Sequence, residues 1–213
     1  MKKIAVFDFD GTLIKRDSMV LFFSRYFKFL SLHGFLNAPQ LLIDTLKFAL
    51  KLYSRKQYKE KFINSIINSS KINNIDKLTN DFSEYLLTKI YIDARRKIET
   101  LKRDGFELVL LSASPDFYLK KIKDKLGFSK LICTKTYYKD RKIIINGKNC
   151  YGKNKIKMFL DEYKIKDINW KESYCFSDCS SDKKLLSYFG KSYFINNKKL
   201  AKNNPQFKYL RWN

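Results

Sequence analysis

Apolar residues recur along this chain in two rhythms, and each rhythm predicts a kind of element. Five short, nearly unbroken runs read as buried strands: Lys3–Asp8, Glu107–Ser112, Lys130–Thr134, Ser173–Asp178 and Lys191–Asn196. Thr136–Tyr138 and Lys142–Ile145 predict a hairpin joined by Lys139-Asp140-Arg141. Helical spacings separate most of the later runs, the signature of an α/β fold with a doubly wound parallel sheet. Residues 16 to 92 contain no convincing strand. Met19–Phe23, Leu41–Tyr53, Tyr58–Ile67 and Ile75–Leu87 instead carry Leu, Ile and Phe three and four positions apart, as helices do. Gly34, Asn37-Ala38-Pro39 and Asn73-Asn74 punctuate them. The expected organisation is a core of residues 1–15 plus 93–213, interrupted by an all-helical cap over 16–92.

The stretch from Met19 to Leu52 is strongly apolar, but Arg25, Lys28, Asp44, Lys47 and Lys51 interrupt it, so it makes no convincing bilayer span. A buried cap core is the expected explanation, with an interfacial amphipathic helix as the alternative. Net charge is +23, from 44 basic and 21 acidic residues. Such a field would attract anionic phosphate esters, and peripheral contact with an anionic membrane is a further candidate. Lys outnumbers Arg by 36 to 8 and the basic residues are dispersed, so no specific nucleic-acid site is expected. Cys133, Cys150, Cys175 and Cys179 form no CxxC pair, and His33 is the single histidine, which argues against structural zinc and against Ser-His or Cys-His catalysis. With no secretory signal, free thiols and a cytoplasmic location are the expectation.

Candidate chemistry concentrates where the first run ends, in Asp8-x-Asp10-Gly11-Thr12. Two carboxylates at the carboxyl end of a buried strand are costly unless compensated. Mg²⁺, a hard oxygen-seeking cation, is the usual compensation. Three further pieces stand at strand ends or helix starts: Ser112 in Leu110-Leu111-Ser112-Ala113-Ser114, Lys155 in Gly152-Lys153-Asn154-Lys155, and Asp178-Cys179-Ser180-Ser181-Asp182. Strand carboxyl ends are where open parallel sheets bind ligands. Each piece also has a plainer reading. Asp10-Gly11 could be a strand-ending turn, and Ser112 a helix N-cap, with Ser114 before Pro115 the better cap. Asp182 could be a first-turn helix acid, and Lys153 and Lys157 compete with Lys155.

In this order, with a helical insertion between the first two, the four motifs resemble the haloacid dehalogenase superfamily, particularly its phosphoserine-phosphatase-like branch. The resemblance covers almost the whole chain and implies a Rossmann-like core and a phosphomonoester phosphatase. It implies that Asp8 is the nucleophile, forming an aspartyl-phosphate, and that Asp10 is the general acid and then base. Mg²⁺ would be held by Asp8, Asp178 and the backbone carbonyl of Asp10. Ser112, the Ala113 N–H and Lys155 would bind phosphoryl oxygens, Asp182 would orient Lys155 or Asp178, and Thr12 would support the loop. One departure is visible: Ser177 stands where the fourth motif often has Gly.

The substrate is less defined. Asp17 occupies the place where phosphoserine phosphatases carry a Glu that reads the substrate amino group. Arg25 and Arg55 are candidates for a substrate carboxylate. A small phosphorylated metabolite is the expected partner, with phosphoserine and a phosphatidylglycerophosphate-type headgroup both open. A basic phosphate- or nucleic-acid-binding protein without turnover is the non-enzyme alternative. Oligomeric state is not legible.

Overall fold

A computed structural model describes residues 1–26, 32–69 and 74–213 (of residues 32–38 and Ser69, the backbone alone). At its centre is a seven-stranded sheet in the order β4-β3-β2-β1-β5-β6-β7. The strands are β1 Ile4–Phe7, β2 Glu107–Pro115, β3 Lys130–Lys139, β4 Lys142–Asn146, β5 Tyr174–Ser177, β6 Lys191–Ile195 and β7 Lys208–Leu210. All pairings are parallel except the β3–β4 hairpin. Between β1 and β2 come α1 Ser18–Tyr26, α2 Leu32–Ala49, α3 Arg55–Ser69, α4 Ile75–Leu87 and α5 Ile92–Arg103. The later connections carry α6 Asp116–Leu126, α7 Lys153–Glu162, α8 Lys183–Leu186 and α9 Lys198–Lys202.

The strands read as continuous apolar runs because both faces of the sheet are covered. Alternate residues of β1 enter different cores. Ala5 and Phe7 face one that includes Phe22, Phe82, Tyr118 and Trp212, while Ile4 and Val6 face one that includes Phe159, Leu186 and Phe194. Phe7 stacks on Phe176 with ring centroids 4.6 Å apart, tying β1 to β5. The chain's last residues close this side. Trp212 is buried, and its backbone exchanges two hydrogen bonds with the Asn196 side chain, at 2.9 and 3.1 Å. β1 lies between β2, reached through one set of helices, and β5, reached from the opposite direction. The strand order reverses there, which opens a crevice at the carboxyl ends of β1 and β5.

Several boundaries differ from the sequence expectation. The Lys130–Thr134 run and the first hairpin strand form one strand, β3, and the hairpin turn is Asp140-Arg141, both at positive φ (50° and 60°) as a two-residue I′-type turn requires. The breaks expected at Gly34 and Asn37-Ala38-Pro39 do not occur; α2 runs through them. Its second half is held by α3, where Phe48 stacks on Tyr58 at 4.4 Å and Asp44 accepts from Gln40 and faces Lys61. The helix stops at Ala49, short of Tyr53, where Lys51 enters the left-handed region at φ 61°. Asn73 lies outside the described residues, but Asn74 caps α4 by accepting the Lys77 N–H at 2.9 Å. Strand β7 was not expected from the sequence.

The expectation of a buried apolar core across Met19–Leu52 holds for α1, whose Leu21, Phe22 and Tyr26 are buried. It fails along α2. Leu42, Ile43 and Leu46 are exposed, as are Leu50 and Leu52 after it, whereas Asp44 is buried. No helix among the described residues is long and apolar enough to cross a membrane.

Candidate active site

A cavity of about 540 Å³ opens at the reversal point of the sheet. Asp8, Asp10, Asp17, Ser112, Ala113, Lys155, Asp178 and Asp182 all line it. They arrive on separate elements: the loop after β1, the end of β2, the first turn of α7 and the loop after β5. Gly11 makes the first loop work. Its φ is +71°, and a Cβ built there would lie 2.0 Å from Asp178 Oδ2. Only glycine lets the loop after β1 approach the carboxylate after β5 so closely.

Lys155 is 4% exposed and sits between two carboxylates. Its ammonium is 3.0 Å from Asp8 Oδ1 and donates to Asp182 Oδ2 at 2.6 Å. Asp182 Oδ2 also accepts from the Ser177 hydroxyl at 2.8 Å, and Ser177 Oγ accepts the Cys179 N–H at 3.1 Å. The residue that departs from the usual Gly therefore fixes both Asp182 and the loop carrying Asp178. Burial, opposed by Lys155 and reinforced by Asp182, Asp178 and Asp10, pushes the Asp8 carboxyl up to about 8. Lys155 is held above its ordinary range by its two partners, which outweigh its burial, so the ammonium keeps its proton. Of the three lysines in this segment, Lys155 alone lines the cavity.

Asp10 has a different environment. Its Oδ1 accepts the Ser18 N–H at 2.7 Å, and its Oδ2 accepts from the Ser114 hydroxyl. Ser18 Oγ in turn shares hydrogen bonds with Ser114 Oγ at 3.0 Å and the buried Tyr118 hydroxyl at 2.7 Å. Burial and then Asp17 raise the Asp10 carboxyl to about 6, with the Ser114 and Ser18 hydrogen bonds opposing. Ser114 is not the helix cap its place before Pro115 suggests. It lies in β2 at a register shift between Ser112 and Pro115, its N–H donates to Ser112 Oγ at 3.0 Å, and α6 has no side-chain cap. The bulge turns the Ser114 side chain onto Asp10 instead.

Ala113 presents its carbonyl to the Lys59 ammonium at 2.6 Å and to the Thr134 hydroxyl at 2.7 Å. Both donors also reach Asn149 Oδ1, at 2.9 Å each. Lys59, on α3, is largely buried, which lowers its pKa, while Asp10 and Asp17 oppose the shift. Arg55 lines the cavity beside it, its guanidinium 4.1 Å from the Tyr151 ring centroid. Arg25 is absent from the lining and lies over Tyr85. Asp17 is exposed at the rim, and its Oδ1 caps α1 by accepting the Met19 and Val20 N–H groups at 2.8 and 3.2 Å. Thr12 is buried behind the loop. Its hydroxyl makes no hydrogen bond among the described residues.

Ser18, Tyr118, Lys59 and Asn149 carry no site role in the sequence expectation, and Ser114 appears there only as a helix cap. A polar residue in the first turn of a helix or the end of a strand has many unremarkable reasons to be there, and no local spacing links Ser114 to Asp10, 104 residues away, or Lys59 to Asn149, 90 residues away.

Could these residues hold a metal? No group of three or more His, Cys, Asp or Glu side chains among the described residues forms a metal cage. The Asp10 carboxylate is occupied by Ser18 and Ser114. That leaves Asp8 and Asp178 as carboxylate donors, and burial, then Asp182, raises Asp178 to about 6. Two carboxylates, one of them beside the Lys155 ammonium, suit Mg²⁺, which takes one or two carboxylates and fills its octahedron with water and substrate phosphate. They suit zinc less well, since structural zinc sites are built on Cys and His.

Comparison with known proteins bears on the fold and the family. In overall structure the chain is similar to a protein of unknown function from Bordetella pertussis Tohama I, at 18% identity and a TM-score of 0.75, covering 99% of this chain and 98% of that one. It is similar to a phosphoserine phosphatase solved as a phospho-aspartyl intermediate analogue, at 20% identity and a TM-score of 0.64, covering 98% and 92%. A phosphoserine phosphohydrolase-like protein from Francisella tularensis gives 18% identity and a TM-score of 0.63, covering 99% and 95%. No curated protein matches the sequence significantly. The family model for haloacid dehalogenase-like hydrolases matches residues 5–187, a span that takes in β1, the helices that follow it and every carboxylate of the cavity, and to that family this chain belongs.

Proposed function

We propose that this hydrolase is a Mg²⁺-dependent phosphomonoester phosphatase working through an aspartyl-phosphate. In this reading residues 1–15 and 93–213 form the catalytic core, and 16–92 form a helical cap over the cavity. The observation that carries it is the unequal treatment of two neighbouring carboxylates. Asp8 is paired with a buried ammonium at 3.0 Å, while Asp10 is held by a backbone N–H and a hydroxyl and bears no cation.

Asp8 attacks phosphorus in line, and the ester oxygen leaves as an alcohol carrying the Asp10 proton. Asp10, now a carboxylate, takes a proton from the water that attacks the acyl phosphate, releasing inorganic phosphate and restoring both side chains. An Asp10 pKa near 6 suits a group that must give and take a proton around neutrality. Lys155, the Ser112 hydroxyl and the Ala113 N–H bind the phosphoryl oxygens, where each such donor is worth about 3 kcal/mol in the transition state. Asp182 keeps the ammonium aimed at Asp8. Asp8, Asp178 and the Asp10 carbonyl would hold Mg²⁺, which when bound neutralises phosphoryl charge.

The substrate in this reading is a small phosphate ester. Arg55 and Lys59 bring positive charge from α3 to the cavity, which favours a leaving group with an anionic substituent, phosphoserine among them. Asp17, engaged in capping α1, is poorly placed to read an amino group, and this weakens the phosphoserine assignment in particular. Acid quenching during turnover followed by peptide mass spectrometry tests the chemistry. A phosphoryl adduct on the peptide containing Asp8 is expected. An adduct elsewhere, or phosphate release with none in the pre-steady state, would overturn it. A screen over amino-acid, sugar, polyol and lipid phosphates then defines the leaving group.

A further inference from the structure

The described half of helix α2 leaves much of its apolar surface outside. Phe48 stacks on Tyr58 and Asp44 is 5% exposed, whereas Leu42 and Leu46 are 71% and 60% exposed. Ile43 joins them on the same side, and Leu50 and Leu52 extend the apolar strip just beyond the helix at 62% and 66% exposure. Residues four apart stack on one helix face, so this is a continuous stripe and not scattered leucines. Exposed apolar surface of this kind is normally withdrawn from water by a partner.

Charge selects the partner. Lys47 and the exposed Lys51 lie along the strip, while its one acidic residue, Asp44, is turned inward. The whole chain is at +23, so two copies brought face to face would repel each other. An anionic bilayer offers both what the stripe lacks and what the lysines seek: an apolar layer beneath a negatively charged one. We propose that α2 and the turn after it form a docking surface for anionic membranes, lying in the interface plane with Leu42, Leu46 and Leu50 embedded and Lys51 at headgroup level. Phe48 of α2 and Val20 of α1 line the active-site cavity, so docking sets its mouth beside the bilayer surface. The proposal concerns surface chemistry and does not depend on the phosphatase reading.

Flotation of the full chain with vesicles tests it at physiological ionic strength. The expected result is binding to vesicles of equal parts phosphatidylcholine and phosphatidylglycerol, with little binding to phosphatidylcholine alone. Combining Leu42→Ser, Leu46→Ser and Leu50→Ser should weaken that binding by at least about tenfold, because each substitution removes apolar area that the bilayer would withdraw from water. Circular dichroism of the variant should match the parent, and a single Leu46→Ser change gives a milder test should the triple variant misfold. No binding by the parent would overturn the proposal. So would undiminished binding by the folded variants, which would mean charge alone is responsible, or equal binding to neutral vesicles. Sedimentation showing a dimer that the same substitutions dissociate would assign the stripe to a second copy and overturn it as well.

Discussion

Lys155 and Asp8 form one ion pair, yet they are expected to contribute oppositely to stability. Removing the ammonium in Lys155→Met strands Asp8 and Asp182 in a buried site, and an uncompensated buried charge costs about 3–5 kcal/mol. Removing the carboxylate in Asp8→Asn leaves Lys155 paired with Asp182 and relieves repulsion from Asp10 and Asp178. Urea unfolding should therefore show Lys155→Met strongly destabilised and Asp8→Asn unchanged or more stable, with both variants inactive. A destabilised Asp8→Asn would mean that its carboxylate serves the fold. At this scale the sequence was informative where a carboxylate ends a strand, so Asp8 and Asp178 stand out, whereas Lys155 was set apart from Lys153 and Lys157 only through the resemblance. Ser18 and Ser114 do not, because their grip on Asp10 depends on a bulge in β2 and on a helix that starts eight residues after the carboxylate.

Elements meet in this molecule through a few close contacts that can be tested singly. Gly11→Ala places a Cβ against Asp178 in a left-handed backbone, so the two loops must part. Activity should fall by orders of magnitude while the folded far-ultraviolet circular dichroism spectrum persists; a fully active variant would contradict the close approach. On the opposite side of the cavity, α3 satisfies the free edge of β4. Asn64 both donates to and accepts from the Ile143 backbone at 2.8 Å, and Glu60 accepts the Ile145 N–H. Asn64→Ala should cost about 1–3 kcal/mol by leaving those groups unpaired, measured as a lower urea midpoint. The strands were legible because burial on both sheet faces makes an apolar run. Three residues of β7 carry too little pattern to register, and the course of α2 through Pro39 depends on packing against α3 that no local rule encodes. The outward apolar face of α2 was hidden for a related reason: helical periodicity reports that a helix is two-sided but not which side faces water.

The molecule as a whole joins a hydrolase core to a strongly basic surface, and the two features answer to different experiments. A net charge of +23 should draw anionic phosphate esters toward the cavity, so kcat/KM for a doubly charged ester should fall as salt is raised, while a kcat that is flat in salt would place the effect in encounter and not in chemistry. Salt-independent kcat/KM would remove the surface field from the account. The central claim, that the carboxylates at the sheet's reversal point hydrolyse phosphomonoesters with Mg²⁺, is tested most directly by inorganic phosphate release from a generic phosphomonoester. The measurement is made with Mg²⁺, after EDTA, and with Asp8→Asn. Turnover is expected in the first case alone, restored after EDTA by excess Mg²⁺. Full activity in EDTA, or in the Asp8→Asn variant, would contradict it.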